Sequence, residues 1–404
     1  TNPCVEIGMY PQINKKSGWQ GCNLTEINGG KCNTEEDFYK ACRAASILGT
    51  LQAGYTDFKF LSDTSKKIFD REALLGVSIT GWMNNPDILF NEKILEKGAE
   101  IVKEVNKEVA SIIKINPAAR TTCVKPSGNA SVLLQTASGI HAEHSDMYIR
   151  NVQMNKESEI TQAIMKQNPY MVEESVWSST GTDVVVSFPI LPKKGSMYKD
   201  DLLGIKHLEL VKKAQKHWVE TGTNEDLCAD KGIRHNVSNT IIVDDWDNVE
   251  KYVYENRDAF AGISFLAMTG DKDYNQAPNT GVIDSKTMVK KYGDASIFAS
   301  GLVVDALKVY PNLWDACSTA QGFGLDLSVE SSENSARKDW VRRFENFANN
   351  YCDGDIKVSE GCLKDAYLLH KWKKIQSNLK QIDWKEDITE KKYTDVDTLA
   401  AAAC

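Results

Sequence analysis

An amide, a thiol and a carboxylate stand at alternate positions in the first six residues: Asn2, Cys4 and Glu6. Pro3 fixes its own φ and biases Asn2 toward an extended conformation. In an extended segment alternate side chains share a face, so the three are expected to converge on one small volume. There an amide can hold a hydroxyl, a thiol can pass on a proton or a hydrogen atom, and a carboxylate can take a proton from a substrate hydroxyl. The plain alternative is a polar terminus with an incidental thiol. A second thiol follows in Gly21-Cys22-Asn23-Leu24. Two cysteines near a carboxylate suit redox work, in which a dithiol gives up two electrons and becomes a disulfide. An inert buried cysteine is the commoner fate of a single one.

A third segment runs from Thr121 through Cys123, Lys125, Pro126, Ser127, Gly128, Asn129 and Ala130 to Ser131. It reads as strand, tight turn and helix start. Backbone N–H groups and small hydroxylated residues at such a place make an anion site that needs no net positive charge. An ordinary strand-to-helix turn has the same composition. It is not a Walker loop, because the GxxxxGK[ST] pattern is absent. His141 and His144 straddle Glu143, but without an HExxH arrangement a hydrogen-bonding role is favoured over a metal site. His207, His217, His235 and His370 are isolated in sequence and are assigned nothing.

Positioning these residues requires a scaffold. Thr34 with Asp37 three residues later forms a capping-box signature for a helix running to about Gln52. Apolar residues from Ile94 to Ile113 keep helical spacing, which predicts an amphipathic helix over 91–114. Strands are expected at 120–124, 183–190, 239–243 and 261–267, with helices from about 131 and over 200–220 and 246–257. That alternation argues for an α/β fold with parallel strands. Helices are expected over 299–309, 335–351 and 359–378. The expected division is 1–280, a helical region 281–382, and a mobile tail 383–404 ending in Cys404.

Composition sets the outer limits. The 404 residues are 42% hydrophobic and 26% charged, enough for a core, and the formal charge is −8. That balance argues against a nucleic-acid binder acting through a broad basic surface. No apolar run approaches the roughly 20 residues of a membrane helix, and no signal peptide opens the chain, so a cytoplasmic protein is expected. Ten cysteines, none with Cys-x-x-Cys spacing, fit free thiols in a reducing compartment better than a disulfide scaffold or a zinc knuckle. The start at Thr1 reads as a fragment, a splice product or a split chain.

Taken together, these segments resemble the catalytic subunit of ribonucleotide reductases, specifically the adenosylcobalamin-dependent class II enzymes of the monomeric type. The pieces are TNPCVEIG at 1–8, GCNLTEING at 21–29, TTCVKPSGNASVL at 121–133, SGIHAEHSDMYIRNV at 138–152, HNVSNTIIV at 235–243 and GISFLAM at 262–268. The resemblance implies the C-terminal part of a ten-stranded α/β barrel with a finger loop inside it. It implies Cys4 as the thiyl radical that takes the 3′ hydrogen, Glu6 as acceptor of the 3′-hydroxyl proton, and Asn2 as an amide orienting the sugar. Cys22 becomes one of two cysteines that deliver electrons, and residues Pro126 to Ser131 become the loop holding the substrate phosphates. Adenosylcobalamin is the implied cofactor, with a thioredoxin-like or other dithiol reductant and a missing N-terminal part as partners.

Three departures accompany this resemblance. The half of the barrel expected to carry Cys22's redox partner and much of the cobalamin site is absent. Asn129 stands where relatives usually have Thr. Cys404 is alone where family tails commonly carry two close cysteines. The class rests on absences, since no Tyr-Tyr pair and no glycine after Gly361 occur. The competing readings are an inactive reductase fragment that binds nucleotide or protein, and a thiol peptidase or acyl transferase using Cys4 with a histidine.

Overall fold

The computed structural model describes residues 1–268, 274, 276–308 and 332–384, with side chains left aside over 332–338. The chain divides into two compact units, Thr1–Asp146 with Pro192–Thr269, and Met147–Leu191 with the described residues after 270. These boundaries differ from the expected division at 280 and 382, because residues 147–191 pair with later strands rather than with the first unit.

The first unit is built on five extended segments in sequential order, all parallel. Asn23–Asn28 pairs in parallel with Leu75–Thr80. Bridges Val77↔Thr122 and Val124↔Val237 then carry the order through 120–124 to Thr240–Val243, which pairs in parallel with Ser264–Ala267. Helices Glu35–Ala53, Glu92–Ile113, Gly204–Ala214 and Trp246–Glu255 follow the strands, as parallel pairing demands. The capping box forms as expected, Thr34 and Asp37 each satisfying the other's backbone N–H. One helix face is tied down by polar contacts as well as packing. Ser46 Oγ donates to the Val102 carbonyl, and Asn106 donates to Thr50.

Strand alternation sorts this sheet into two faces. Leu75, Val77 and Ile79 pack with Phe38, Leu95, Val102 and Trp218 in the main core. The opposite face carries Cys22, Leu24, Leu74 and Cys123, packed with Ile7 and Met9. The Leu75–Thr80 strand is buried along its whole length, whereas all four residues of Ser264–Ala267 are exposed, including Phe265 and Leu266. Among the described residues the sheet stays open, with Asn23–Asn28 and Ser264–Ala267 at its edges.

The second unit departs from the expected all-parallel pattern. Its four strands run in the order Asn279–Gly281, Tyr148–Asn155, Asp183–Ile190, Val172–Glu174, and every pair is antiparallel. Helices Ser285–Tyr292, Ala295–Ala306, Ser332–Tyr351 and Ile356–Asn378 enclose a separate core with Met288, Phe344, Phe347, Leu363 and Tyr367. The expected tail and its Cys404 lie outside the described residues, apart from its first two positions. No helix among the described residues is long and apolar enough to cross a membrane.

Candidate active site

The first eight residues form a pinned loop rather than an extended strand. Val5 N–H donates to the Asn2 carbonyl at 3.1 Å, which closes a turn over Pro3 and Cys4. Val5 itself has φ 63°, a left-handed conformation rare for a β-branched residue and held here by the surroundings. The Asn2 carboxamide oxygen accepts from Ile7 N–H at 3.2 Å. The expected common face of Asn2, Cys4 and Glu6 therefore does not form. The turn leaves the Cys4 thiol exposed and drives Glu6 and Ile7 inside.

The loop docks on residues 234–236. Asn236 N–H donates to the Glu6 carbonyl at 2.9 Å, and Gly8 N–H donates to His235 Nδ1 at 3.1 Å. A Cβ at Gly8 would stand 2.0 Å from the Arg234 carbonyl oxygen, so the approach requires glycine. His235 completes the clamp by donating from Nε2 to the Leu75 carbonyl at 2.8 Å. Both ring nitrogens are thus committed and the tautomer is set. Burial, reinforced by the nearby Arg120 cation, lowers its pKa to about 3, so the ring stays neutral.

Cys22 Sγ lies 4.0 Å from His235 Nε2. Burial first, and then the Glu6 carboxylate, pushes the Cys22 thiol far above its ordinary range. Across Gly76 lies a third sulfur. A Cβ at Gly76 would stand 2.5 Å from Leu24 Cδ2 and close to both sulfurs, 3.2 Å from Cys22 Sγ and 3.1 Å from Cys123 Sγ. Glu6 Oε2 is buried with no hydrogen-bond partner among the described residues, an orphaned acceptor aimed into the site. Beneath, Glu72 accepts from Arg120 at 2.9 Å, Arg71 at 2.8 Å and Gln20 at 2.7 Å, a buried ion-pair network that fixes this end of the sheet.

The Lys125–Ser131 turn begins one strand away. Ser127 has φ 59°, and its hydroxyl is buried without a hydrogen-bond partner among the described residues. The helix Gly128–Leu134 starts directly after it, earlier than expected. A Cβ at Gly128 would meet nothing within 4 Å, so the backbone there is open to approach. Gly128 and Asn129 are exposed, Pro126 and Ala130 half-buried, and Ser131 is buried with its hydroxyl donating to the Gly128 carbonyl at 2.8 Å.

His141 is held by hydrogen bonds to the backbone. His141 Nδ1 donates to the Ser138 carbonyl at 3.0 Å and Nε2 accepts from Thr240 N–H at 3.1 Å. Glu143 accepts from Asn84 at 2.8 Å. No cluster among the described residues could hold a metal ion. The sequence singled out Asn2, Cys4, Glu6 and Cys22 but assigned nothing to His235, Cys123, Arg120 and Glu26. His235 opens the HNVSNTIIV segment, which was its one available signal.

No protein-family model matches the chain. Among curated proteins it is similar to the "Probable adenosylcobalamin-dependent ribonucleoside-triphosphate reductase" of Dictyostelium discoideum, 27% identical over 225 residues, covering 54% of this chain and 28% of that protein. The adenosylcobalamin-dependent ribonucleoside-triphosphate reductase of Euglena gracilis is 24% identical over 236 residues, covering 57% of this chain and 30% of that one. The chain spans less than a third of the length of these curated relatives. A crystal structure of a B12-dependent (class II) ribonucleotide reductase matches with a TM-score of 0.57 at 17% identity, over 71% of this chain and 41% of that one. The chain's curated homologues are therefore adenosylcobalamin-dependent reductases, and its fold is that of part of a class II reductase.

Proposed function

From that homology we propose that this chain is the C-terminal catalytic part of an adenosylcobalamin-dependent ribonucleotide reductase, converting ribonucleotides to deoxyribonucleotides. The observation that carries the reading is the placement of Glu6 and Cys22. Two residues 16 positions apart, Glu6 buried and Cys22 half-buried, lie close enough for the Glu6 charge to act on the Cys22 thiol. Cys4 lies two residues before Glu6, on the exposed side of the loop. The names of the relatives favour a triphosphate as substrate.

In this scheme the Cys4 thiyl radical takes the 3′ hydrogen of the ribose, and Glu6 takes the 3′-hydroxyl proton through its unpartnered Oε2. Asn2, whose carboxamide oxygen is engaged by Ile7 N–H, keeps its NH₂ group for the sugar. The C2′–O bond then breaks and water leaves. Cys22 and a second thiol supply two electrons and two protons: one proton leaves in the water, a C2′–H bond forms, and the pair ends as a disulfide. Cys4 then returns its hydrogen to C3′ and Glu6 its proton to the 3′ oxygen, which regenerates the thiyl radical. Burial keeps Cys22 protonated and ready to give hydrogen. Residues Pro126 to Ser131 hold the phosphates, and the open backbone at Gly128 supports that reading.

Adenosylcobalamin would supply the one-electron chemistry that starts the radical. An exposed thiol fits such a group, and Cys4 with the exposed Val5 beside it are the residues it would meet. A cytoplasmic setting, a thioredoxin-like dithiol reductant acting by way of Cys404, and an N-terminal part of the same enzyme complete the reading. Nucleic acid and membrane have no part in it. The test is direct. The 404-residue chain, incubated with adenosylcobalamin, a dithiol and each ribonucleoside triphosphate, is expected to give no deoxyribonucleotide by itself. It is expected to give product once joined to an N-terminal part. Absence of product from the joined enzyme overturns the reading, and product in proportion to the chain alone overturns the division of the site.

A further inference from the structure

The scheme above makes no use of Glu26, yet this carboxyl sits on the inner face of the sheet between the thiols and the phosphate turn. It shares a face with Cys22 and Leu24 by strand alternation. Its Oε1 accepts from Ser78 Oγ at 3.2 Å, and the same Ser78 oxygen accepts from Lys125 N–H at 3.0 Å. Its Oε2 lies 3.7 Å from Lys125 Nζ and is buried with no hydrogen bond among the described residues. The charged or titratable groups felt across the neighbouring segment are the Lys125 ammonium and the Cys123 thiol. Two residues beyond Lys125 stands Ser127, whose buried hydroxyl lies close enough to act on the Glu26 carboxyl as a donor.

A loosely engaged ammonium next to an open anion site is a reserve of positive charge. We propose that Glu26 is a positioning residue that holds Lys125 while the turn is empty and releases it to a bound polyphosphate by taking up a proton. The inference rests on reading residues 126–131 as the phosphate loop. A polyanion at Ser127 and Gly128 competes for the Lys125 ammonium. The carboxylate left behind would then be buried, without its cation and beside a polyanion, a combination that favours the neutral acid. Burial already holds the Glu26 carboxyl at about 7 with Lys125 in place, so near neutral pH the required proton is readily taken. Removing the cation and adding the phosphates both push the carboxyl further up. Polyphosphate binding therefore draws in up to about half a proton at pH 7, and affinity weakens as pH rises through that range.

Isothermal calorimetry on the full-length enzyme tests this, with inorganic tripolyphosphate as probe in two buffers of different ionisation enthalpy. The terminal phosphate of the probe titrates too, so the informative quantity is the difference between wild type and Glu26→Gln. Wild type is expected to take up more protons than Glu26→Gln. Its affinity relative to that variant should fall several-fold between pH 6 and pH 8. Equal proton uptake in the two proteins overturns the inference and leaves the phosphate loop standing. Lys125→Gln is a second, independent check. It is expected to weaken tripolyphosphate binding about tenfold, and unchanged affinity also overturns the inference. Failure of both tripolyphosphate and a ribonucleoside triphosphate to bind at any pH would take down the phosphate-loop reading itself, and the inference with it.

Discussion

Burial decides which chemistry each thiol of this site can perform. Cys22 and Cys123 are pushed far above the ordinary thiol range because the buried face penalises a thiolate, and Glu6 penalises it further. Such sulfurs are poor nucleophiles and good holders of hydrogen, which suits hydrogen transfer. Nor does His235 serve them as a base. His235 is next to Cys22, but its two nitrogens are engaged by Gly8 N–H and the Leu75 carbonyl, and its pKa lies at about 3. Replacing Cys22 by Ser keeps the volume and removes the transferable hydrogen. In the full-length enzyme with excess dithiol, Cys22→Ser is expected to form sugar-radical by-products in place of deoxyribonucleotide. Multiple turnover at the wild-type rate would make Cys22 a structural thiol only.

At the scale of elements, the finger loop is positioned by backbone contacts that a sequence pattern does not announce. The motif Asn2-Pro3-Cys4-Val5-Glu6 was legible as chemistry, but its geometry was not. Pro3 favours an extended reading of Asn2, whereas the Val5 turn separates Cys4 outside from Glu6 inside. Local signals that involve only neighbours in sequence were read accurately, among them the Thr34–Asp37 capping box and the helix Glu92–Ile113. His235 and Glu26 were not, because their meaning arises from strand register and loop docking between distant segments. Gly8 shows how tight that docking is. Gly8→Ala would place a Cβ 2.0 Å from the Arg234 carbonyl oxygen. It is expected to lift the loop off residues 234–236, at a cost of about 2 kcal/mol. Hydrogen exchange should then accelerate at Ile7 and Gly8 and at Asn236. Unchanged protection at these amides would show that the clamp does not hold the loop.

For the whole molecule, the alternation of strand and helix was enough to read an α/β fold, and the first unit follows it with five parallel segments in sequence order. The antiparallel sheet of the second unit was not legible, because no strand was expected over Tyr148–Asn155, Val172–Glu174 or Asn279–Gly281, and these are the strands that pair with or beside Asp183–Ile190. The exposed edge strand Ser264–Ala267, with Phe265 and Leu266 open to solvent, is the kind of edge that a completed barrel covers. The inner face of the half-sheet is where Glu6, Cys22, Cys123 and Glu26 gather, while Cys4 stands exposed on the finger loop.

The central claim is that Cys4 carries a radical that removes hydrogen from a ribonucleotide. The most direct measurement is deoxyribonucleotide formation by the full-length enzyme with Cys4 intact and with Cys4→Ser, together with ribonucleoside triphosphate affinity. A serine O–H bond is too strong to serve as the radical carrier, while its shape preserves the loop. The account predicts product from the first protein, none above background from Cys4→Ser, and affinities within about twofold of each other, since a uniform loss of binding would mark a disturbed fold. Turnover retained by Cys4→Ser would contradict it.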